Sequence, residues 1–166
     1  MAIQLYLLRH SYAEDSANQS DRSRALTHDG VAKVRTLGRH LVKQDFDVDV
    51  IYCSPALRTT ETAQHLTEEL GFSESLVKYD ESIYGASVRE LLQVVNATDL
   101  SFTKVMIIGH NPAISFLGDY LTKADIEFVA PCGLVHMSFD GLAWNEVTQG
   151  AGELIARYHP DDELQS

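Results

Sequence analysis

The sequence predicts one α/β domain, a three-layer sandwich in which helices flank a mostly parallel central sheet. Short runs of β-branched and apolar residues recur along the first two thirds of the chain, as expected of buried strands. The stretches between them carry apolar residues at the spacing of amphipathic helices. Because strand and helix patterns alternate, the strands should be parallel and joined by helical crossovers.

Each expected strand ends at a polar residue or a glycine. The four strands should cover residues 3–8, 48–53, 76–79 and 105–109. The helical patterns that alternate with them start with the apolar positions Val31, Ala63, Val88 and Ile114.

The last third of the chain alternates apolar and polar residues. Residues 134–139, 144–148 and 153–158 are therefore predicted to be extra strands, antiparallel, at the edge of the sheet. We expect a single domain over residues 1–159. Residues 160–166 are polar and acidic, and we expect them to form a frayed tail.

Composition restricts the classes of partner. The 166 residues are enough for one domain with a full core. Thirteen Lys and Arg against 24 Asp and Glu give a formal net charge of −11, which repels nucleic acid and anionic lipid surfaces. An anionic substrate therefore needs a local basic pocket.

The two cysteines, Cys53 and Cys132, do not form a disulfide framework, and we expect both to be reduced. The first apolar run, residues 3–8, is too short for the core of a signal peptide or for a membrane span. The expected location is the cytoplasm, with no membrane partner.

Two helix starts are marked by a capping residue followed by proline, at Ser54-Pro55 and Asn111-Pro112. Each pair directly follows an expected strand, so both helix N-termini should lie at the carboxyl edge of the sheet. Helix N-termini attract anions, and ligands of open α/β sheets collect at this edge. The sequence thus predicts an anion site there.

Other polar residues far apart in the chain should share that edge, because they follow the ends of the expected strands. They are Arg9 and His10 after the first strand, Ser54 and Arg58 after the second, Asp80 and Glu81 after the third, and His110 after the fourth. Two arginines, two histidines and a carboxylate converge if the strands are parallel neighbours.

This set of residues is the one that phosphoryl transfer requires. Arg9 and Arg58 would bind phosphate oxygens and take up charge in the transition state. A neutral His10 in line with phosphorus would be the nucleophile. His110, protonated beside the phosphate, would donate to its oxygens. Glu81 would give a proton to the leaving atom and later take one from water. We expect no metal and no other cofactor.

Four segments resemble the motifs of the histidine phosphatase superfamily, in order and at matching spacing. They are Leu8-Arg9-His10, Arg24-Ala25-Leu26-Thr27-x-x-Gly30, Ser54-Pro55-Ala56-x-Arg58-Thr59-x-x-Thr62-Ala63 and Ile108-Gly109-His110-Asn111-Pro112. The short form most resembles the SixA-like phosphohistidine phosphatases. The resemblance implies a phosphoglycerate mutase-like fold, a phosphoenzyme on His10, and a phosphate pocket completed by Arg9, Arg58 and His110.

Some positions depart from the family pattern or match it loosely. Ser11 stands where the superfamily most often has glycine. Glu81 lies in a stretch similar to the family's acid region, without a rigid motif, and two alternatives stay open: Glu81 is the acid, or a phosphoramidate substrate needs no acid. Arg24 matches a family position from which substrate is reached at the rim, and Ser54 is expected to cap its helix and to contact phosphate. Further rim candidates are Glu14, Asp21 and Arg22.

Two other kinds of site are disfavoured. Cys53 precedes a helix and a nearby arginine, which is similar to protein tyrosine phosphatases, but four residues rather than five separate it from Arg58. We therefore expect Cys53 to be a buried apolar residue. Glu61 and His65 lie one helical turn apart, and we interpret them as part of a solvated face rather than a metal site.

The expected substrate is phosphohistidine on a protein. Short connections between the elements should leave the pocket open to a side chain of another protein. Two alternatives stay open: a small-molecule phosphomonoesterase of the same superfamily, acting on a phosphate ester, and a phosphate- or phosphoprotein-binding module without turnover.

Overall fold

The computed structural model describes residues 2–162, which form a six-stranded sheet and four α-helices. The strands are β1 (Ala2–Arg9), β2 (Val50–Cys53), β3 (Val77–Tyr79), β4 (Lys104–Gly109), β5 (Leu134–Asp140) and β6 (Glu153–Tyr158). The helices are α1 (His28–Lys43), α2 (Leu57–Leu70), α3 (Val88–Asn96) and α4 (Ala113–Thr122). The predicted alternation of strands and helices is confirmed.

The strand order across the sheet is β3-β2-β4-β1-β5-β6. The first four strands are parallel, and β5 and β6 are antiparallel and lie at one edge, as predicted. Arg9 at the end of β1 pairs with Gly109 at the end of β4, and Cys53 at the end of β2 pairs with Ile108. The residues that follow these three strands therefore emerge side by side.

Alternation along β1 divides the core between the two faces of the sheet. Leu5 and Leu7 belong to a cluster with apolar residues of α3 and α4, whereas Tyr6 and Leu8 belong to a cluster with residues of α1 and α2. All four side chains are buried. Two helices on each face of the sheet give the predicted three-layer sandwich.

The strand predicted over residues 144–148 is wrong, because Trp144–Glu146 is a short 3-10 helix. The Trp144 indole is buried, and its Nε1 donates to the carbonyl of Phe102 at 2.7 Å. The side-chain amide of Asn96 donates to the carbonyls of Trp144 and Val147, at 2.8 and 3.0 Å. These carbonyls are satisfied by a side chain, so the segment packs beside α3 instead of pairing with the sheet edge.

The two helix starts at the carboxyl edge are also later than predicted. The N-cap positions belong to Ala56 and Pro112, not to Ser54 and Asn111. The hydroxyl of Thr59 donates to the carbonyls of Ser54 and Ala56, at 2.7 and 2.8 Å, which tightens the turn before α2. The Ser54 hydroxyl accepts from the Ala56 N–H at 3.4 Å, within the turn that precedes α2. Both α2 and α4 still begin at the predicted edge of the sheet.

The tail predicted over residues 160–166 falls partly outside the described residues, which end at residue 162. In its described part, Pro160 is buried and the Asp161 carboxylate lies 3.6 Å from Lys33 Nζ. Over residues 2–162, no helix combines the length and the apolar character needed to cross a bilayer.

Candidate active site

The structure brings His10, His110, Arg9 and Arg58 together at the carboxyl edge of the sheet, in a cluster that we call the pocket. The ring centroids of His10 and His110 are 5.4 Å apart. His10 is only 8% exposed and Arg58 only 6%. Burial is the largest cause that lowers the pKa of both imidazoles, and the charges of Arg58 and Arg9 lower both further, after that of His110 in the case of His10. The four residues are therefore close enough to interact electrostatically.

His10 is held as a neutral ring with a defined tautomer. Its Nδ1 lies 2.7 Å from the carbonyl oxygen of Ser11. A carbonyl only accepts hydrogen bonds, so in the neutral ring Nδ1 carries the proton and Nε2 keeps its lone pair. Burial is the largest cause that lowers the His10 pKa to about 3. At neutral pH the ring therefore has a free nucleophilic nitrogen.

Ser11, which departs from the family pattern, supports this arrangement. Its side chain is fully buried and donates from Oγ to the carbonyl of Gly30 at 2.7 Å, and its N–H donates to Thr62 Oγ1 at 3.1 Å. Its backbone does not adopt the left-handed conformation that would favour glycine. A serine therefore fits this turn and connects it to α1 and α2.

Gly30 is required by a close approach in the same place. A Cβ atom there would lie 2.1 Å from the carbonyl oxygen of Tyr12, far inside van der Waals contact. The start of α1 thus packs directly against the backbone that follows His10. The glycine at the end of the second sequence motif is explained by this contact.

His110 is oriented by Ser54. Its Nε2 lies 2.8 Å from Ser54 Oγ, while its buried Nδ1 has no hydrogen-bond partner. Burial, followed by the charge of Arg58, lowers the His110 pKa to about 4. The edge of the His110 ring meets Tyr84 with centroids 5.7 Å apart. At neutral pH His110 is therefore a neutral ring with one N–H donor, and the protonated form predicted for it requires the negative charge of a bound oxyanion.

Arg58 is fixed by Asp21. Its Nη1 donates to the backbone carbonyl of Asp21 at 2.8 Å, and its Nη2 donates to the Asp21 carboxylate at 3.1 Å. The same carboxylate accepts from the Tyr84 hydroxyl at 2.6 Å. The Tyr84 hydrogen bond is the largest cause that lowers the Asp21 pKa to about 2, and the contacts with Arg58 and then Arg24 add to it. Asp21 is therefore ionised and orients the guanidinium.

Arg9 reaches the pocket from the end of β1. Its Nη1 donates to the carbonyl of Val129 at 3.1 Å, and its guanidinium carbon lies 5.0 Å from the ring centroid of Phe128. The buried Nε atoms of Arg9 and Arg58 have no hydrogen-bond partner. Unpaired buried donors are uncommon, and here they belong to the cations of one pocket. A tetrahedral oxyanion is the acceptor that suits this set of donors.

The structure does not bring Glu81 into contact with the two histidines. Glu81 begins a 3-10 helix after β3, and its side chain is 71% exposed. Its carboxylate accepts from both Nη atoms of Arg22, a pairing that holds the Glu81 pKa below its usual range. The Arg22 guanidinium in turn lies 4.6 Å from the Tyr84 ring centroid. Glu81 is thus part of the rim.

Arg24 lies in the loop after β1, beside the residues that hold Arg58, and its predicted contact with substrate stays a prediction. Its Nε donates to the carbonyl of Glu14 at 2.6 Å, and its Nη1 lies 3.4 Å from the Asp21 carboxylate. Sequence reasoning ranked Asp21 only as a rim candidate and did not identify Tyr84. The one signal for Tyr84 was its position in the polar stretch that follows β3. Its hydrogen bond to Asp21, 63 residues away, has no local signature.

No metal centre accompanies these residues. Within residues 2–162, no group of three or more His, Cys, Asp or Glu side chains is arranged to hold a metal ion. Cys53 and Cys132 are buried free thiols, and burial raises the pKa of both. A protein tyrosine phosphatase mechanism at Cys53 therefore has no support, because such a thiol is not ionised at neutral pH.

The fold and the cluster of arginines and histidines at the carboxyl edge of the sheet are those of a class of protein, the phosphatases. Comparison with known proteins gives the family. The model of the histidine phosphatase superfamily (branch 1) matches residues 5–83. A solved structure assigned as the phosphohistidine phosphatase SixA from Nakamurella multipartitia is 31% identical, with a TM-score of 0.84 over 96% of this chain and 97% of that one. The chain belongs to the histidine phosphatase superfamily.

Two further relatives show how far the similarity extends. A protein histidine phosphatase SixA solved in complex with tungstate is 21% identical, with a TM-score of 0.83 over 96% of this chain and 99% of that one. An uncharacterized protein of Mycobacterium tuberculosis is 24% identical over 162 residues, covering 92% of this chain and 99% of the relative. The phosphoglycerate mutase-like, SixA-like fold expected from the sequence is thus confirmed.

Proposed function

We propose that this protein removes phosphate from phosphohistidine on a protein, through a phosphorylated His10 intermediate. The observation that carries the proposal is the contact between His10 Nδ1 and the Ser11 carbonyl oxygen. In the neutral ring this contact leaves the lone pair of Nε2 available. This nitrogen shares a pocket with Arg9 and Arg58, the cations that suit a phosphoryl group.

The first step transfers the phosphoryl group to the enzyme. Nε2 of His10 forms a bond to phosphorus as the P–N bond of the substrate breaks. The departing imidazole leaves as a neutral ring when its second nitrogen already carries a proton. Arg9 and Arg58 hold the three equatorial oxygens and stabilise their charge in the transition state.

The second step restores the enzyme. Water attacks the phosphorus of phospho-His10 and the P–Nε2 bond breaks. Both protons of the water stay on the phosphate product. His10 returns to the neutral form that the Ser11 carbonyl favours. Binding of tungstate, also a tetrahedral oxyanion, to a solved relative with the same fold is consistent with such a pocket.

The carboxyl groups near the pocket support a phosphoramidate rather than an ester as substrate. The Asp21 pKa is about 2, with the Tyr84 hydrogen bond as its largest cause, and the Glu81 pKa is lowered by its bond to Arg22. Neither carboxyl holds a proton at neutral pH, so neither is ready to protonate an alkoxide leaving group. Phosphohistidine does not need that proton, because its imidazole leaves as a neutral ring whose second nitrogen already carries one.

Two features accompany this proposal. The reaction steps use only protein side chains and water, so we propose that it is metal-independent. The free thiols of Cys53 and Cys132 favour a reducing compartment, and we propose the cytoplasm as the location.

The test compares wild type with His10→Ala on a histidine-phosphorylated protein, with EDTA present throughout. The wild type should release phosphate and form an acid-labile phosphoenzyme, and His10→Ala should do neither. His28→Ala is the matched control, because His28 is an exposed histidine at the start of α1. Turnover by His10→Ala would reject the mechanism.

A substrate panel tests the phosphohistidine preference separately. It compares the specificity constants for the phosphoprotein, small phosphoramidates and common phosphate esters. Better turnover of esters would identify a small-molecule phosphomonoesterase. Tight binding of vanadate with no hydrolysis of any member would identify a binding module.

A further inference from the structure

An apolar surface lies beside the phosphate pocket, next to Arg9. It consists of Phe116 on α4 and Phe128 in the loop that follows, with exposures of 56% and 64%, and we call it the apolar shelf. The two rings border a cavity of about 420 Å³, whose other lining residues are Asn111, Pro112, Ser115 and Glu127. Exposed aromatic rings around a concavity are typical of sites where proteins bind.

The apolar shelf is fixed in place by hydrogen bonds at Val129, the residue after Phe128. The Val129 carbonyl accepts from Arg9 Nη1 at 3.1 Å and from the Asn111 side-chain amide at 2.8 Å. The Val129 N–H donates to Ser115 Oγ at 2.9 Å. Phe128 is therefore presented by an ordered backbone, and its exposure does not come from a loose loop. Such preorganisation lowers the entropic cost of binding.

The apolar shelf is continuous with the phosphate pocket. The Arg9 guanidinium carbon lies 5.0 Å from the centroid of the Phe128 ring, so a phosphoryl group held by Arg9 is about one side chain away from the shelf. On a helix, side chains four positions apart are separated by about 6 Å. One helical segment can therefore fill both places, with a phosphohistidine in the pocket and an apolar side chain on the shelf.

We propose that the apolar shelf docks an aliphatic or aromatic side chain lying one helical turn from the phosphohistidine of the protein substrate. This inference rests on the proposed function. The partner should carry basic rather than acidic residues beyond the docked side chain, because Glu127 borders the shelf and the chain has a formal net charge of −11. The docked side chain sets which phosphohistidine proteins are hydrolysed, and Phe116 and Phe128 determine that specificity.

The test uses helical peptides that carry phosphoryltriazolylalanine, a non-hydrolysable analogue of phosphohistidine, at position i. Leu or Ser is placed at i+4 in one peptide pair and at i−4 in another, and dissociation constants are measured by fluorescence anisotropy. For wild type, the Leu peptide of at least one pair should bind about tenfold more tightly than its Ser counterpart.

Phe116→Ala should reduce that Leu preference to about twofold or less. Phe116 is more than half exposed, so the variant should fold, which circular dichroism checks. Leu100→Ala is the matched control, because Leu100 is 65% exposed and lies before β4, at the opposite end of that strand from the pocket; it should keep the tenfold preference. Equal Leu preferences in wild type and Phe116→Ala would overturn the proposal.

The outcomes separate this inference from the proposed function. If His10→Ala is inactive on a phosphohistidine protein but the peptides show no Leu preference, only the docking role of the apolar shelf is rejected. If wild type does not hydrolyse any phosphohistidine protein, both are rejected. If sedimentation shows a wild-type dimer that Phe116→Ala dissociates, with the peptide preference unchanged, the shelf is a contact between copies of this chain and the proposal fails.

Discussion

Binding of a tetrahedral dianion should be coupled to protonation of His110. The His110 pKa is about 4, first because of burial and then because of the Arg58 charge. A dianion in the pocket replaces lost hydration and adds negative charge beside the ring. We therefore expect the His110 pKa to rise when the anion binds, so that His110 changes from a neutral ring with one N–H donor to an imidazolium with two.

The size of this effect follows from Coulomb's law. Two unit charges about 4 Å apart interact by about 4 kcal/mol at an effective dielectric constant of about 20. At about 1.4 kcal/mol per pH unit, one unit of added negative charge raises the His110 pKa by about 3, to about 7. Over the interval between about 4 and about 7, the complex then holds up to one more proton than the free protein. Affinity should rise as the pH falls through this interval.

Sulfate is a suitable probe, because it remains a dianion across this pH range while phosphate titrates. Isothermal titration calorimetry should show sulfate binding tightening by one to two orders of magnitude from about pH 7.5 to about pH 5. Repeating the titration in buffers of different ionisation enthalpy counts the protons taken up. His110→Gln should abolish most of the uptake, whereas the exposed control His28→Gln should not. A pH-independent affinity, or equal proton uptake by His110→Gln, would refute the reasoning.

Three further outcomes are expected. Burial is the main cause that lowers the His10 pKa from 6.5 to about 3 on folding, so the unfolded chain binds this proton at a higher pH than the folded chain does. The free energy of unfolding should therefore drop by about 4 kcal/mol as the pH falls from about 6.5 to about 3, and by less in His10→Gln. In urea titrations, Gly30→Ala should cost about 2–4 kcal/mol through its clash with Tyr12, against about 1 kcal/mol for exposed Ala32→Gly. Glu81→Gln should lower kcat for a phosphohistidine protein at most about threefold, and a hundredfold loss would make Glu81 the acid.

Much of the fold followed from short-range patterns. Buried strands and amphipathic helices leave a period in the sequence, and their alternation gives a parallel sheet. The convergence of Arg9, His10, Arg58 and His110 was predictable for the same reason, because each residue follows the carboxyl end of a strand or begins the helix after one. The polar groups were located by topology, without any knowledge of their contacts.

The features that escaped prediction depend on contacts between distant residues. The alternation over residues 144–148 resembles that of a strand, but the side chain of Asn96, 48 and 51 positions away, donates to the carbonyls of Trp144 and Val147. Ser54 is a residue type favoured at helix N-caps, but its hydroxyl forms a hydrogen bond with the ring of His110, 56 positions away. In each case a local propensity was overridden by a tertiary hydrogen bond, which a single sequence does not display.

Asp21 and Tyr84 show why the pocket contains more than its cations. The positive charges of Arg9 and Arg58 disfavour further positive charge on the two histidines. The Arg9 pKa is itself lowered, mainly by burial and partly by Arg58. An unpaired Arg58 would be costly because it is almost fully buried. Asp21 offsets that cost, because its carbonyl and carboxylate oxygens accept from the two Nη atoms of the guanidinium, and the Tyr84 hydroxyl donates to the same carboxylate and fixes its orientation. The buried Nε of Arg58 has no hydrogen-bond partner among the described residues, so Asp21 satisfies only part of the guanidinium. We expect a phosphoryl group to complete the charge balance, because such a local basic cluster would allow a chain with a formal net charge of −11 to bind an anion.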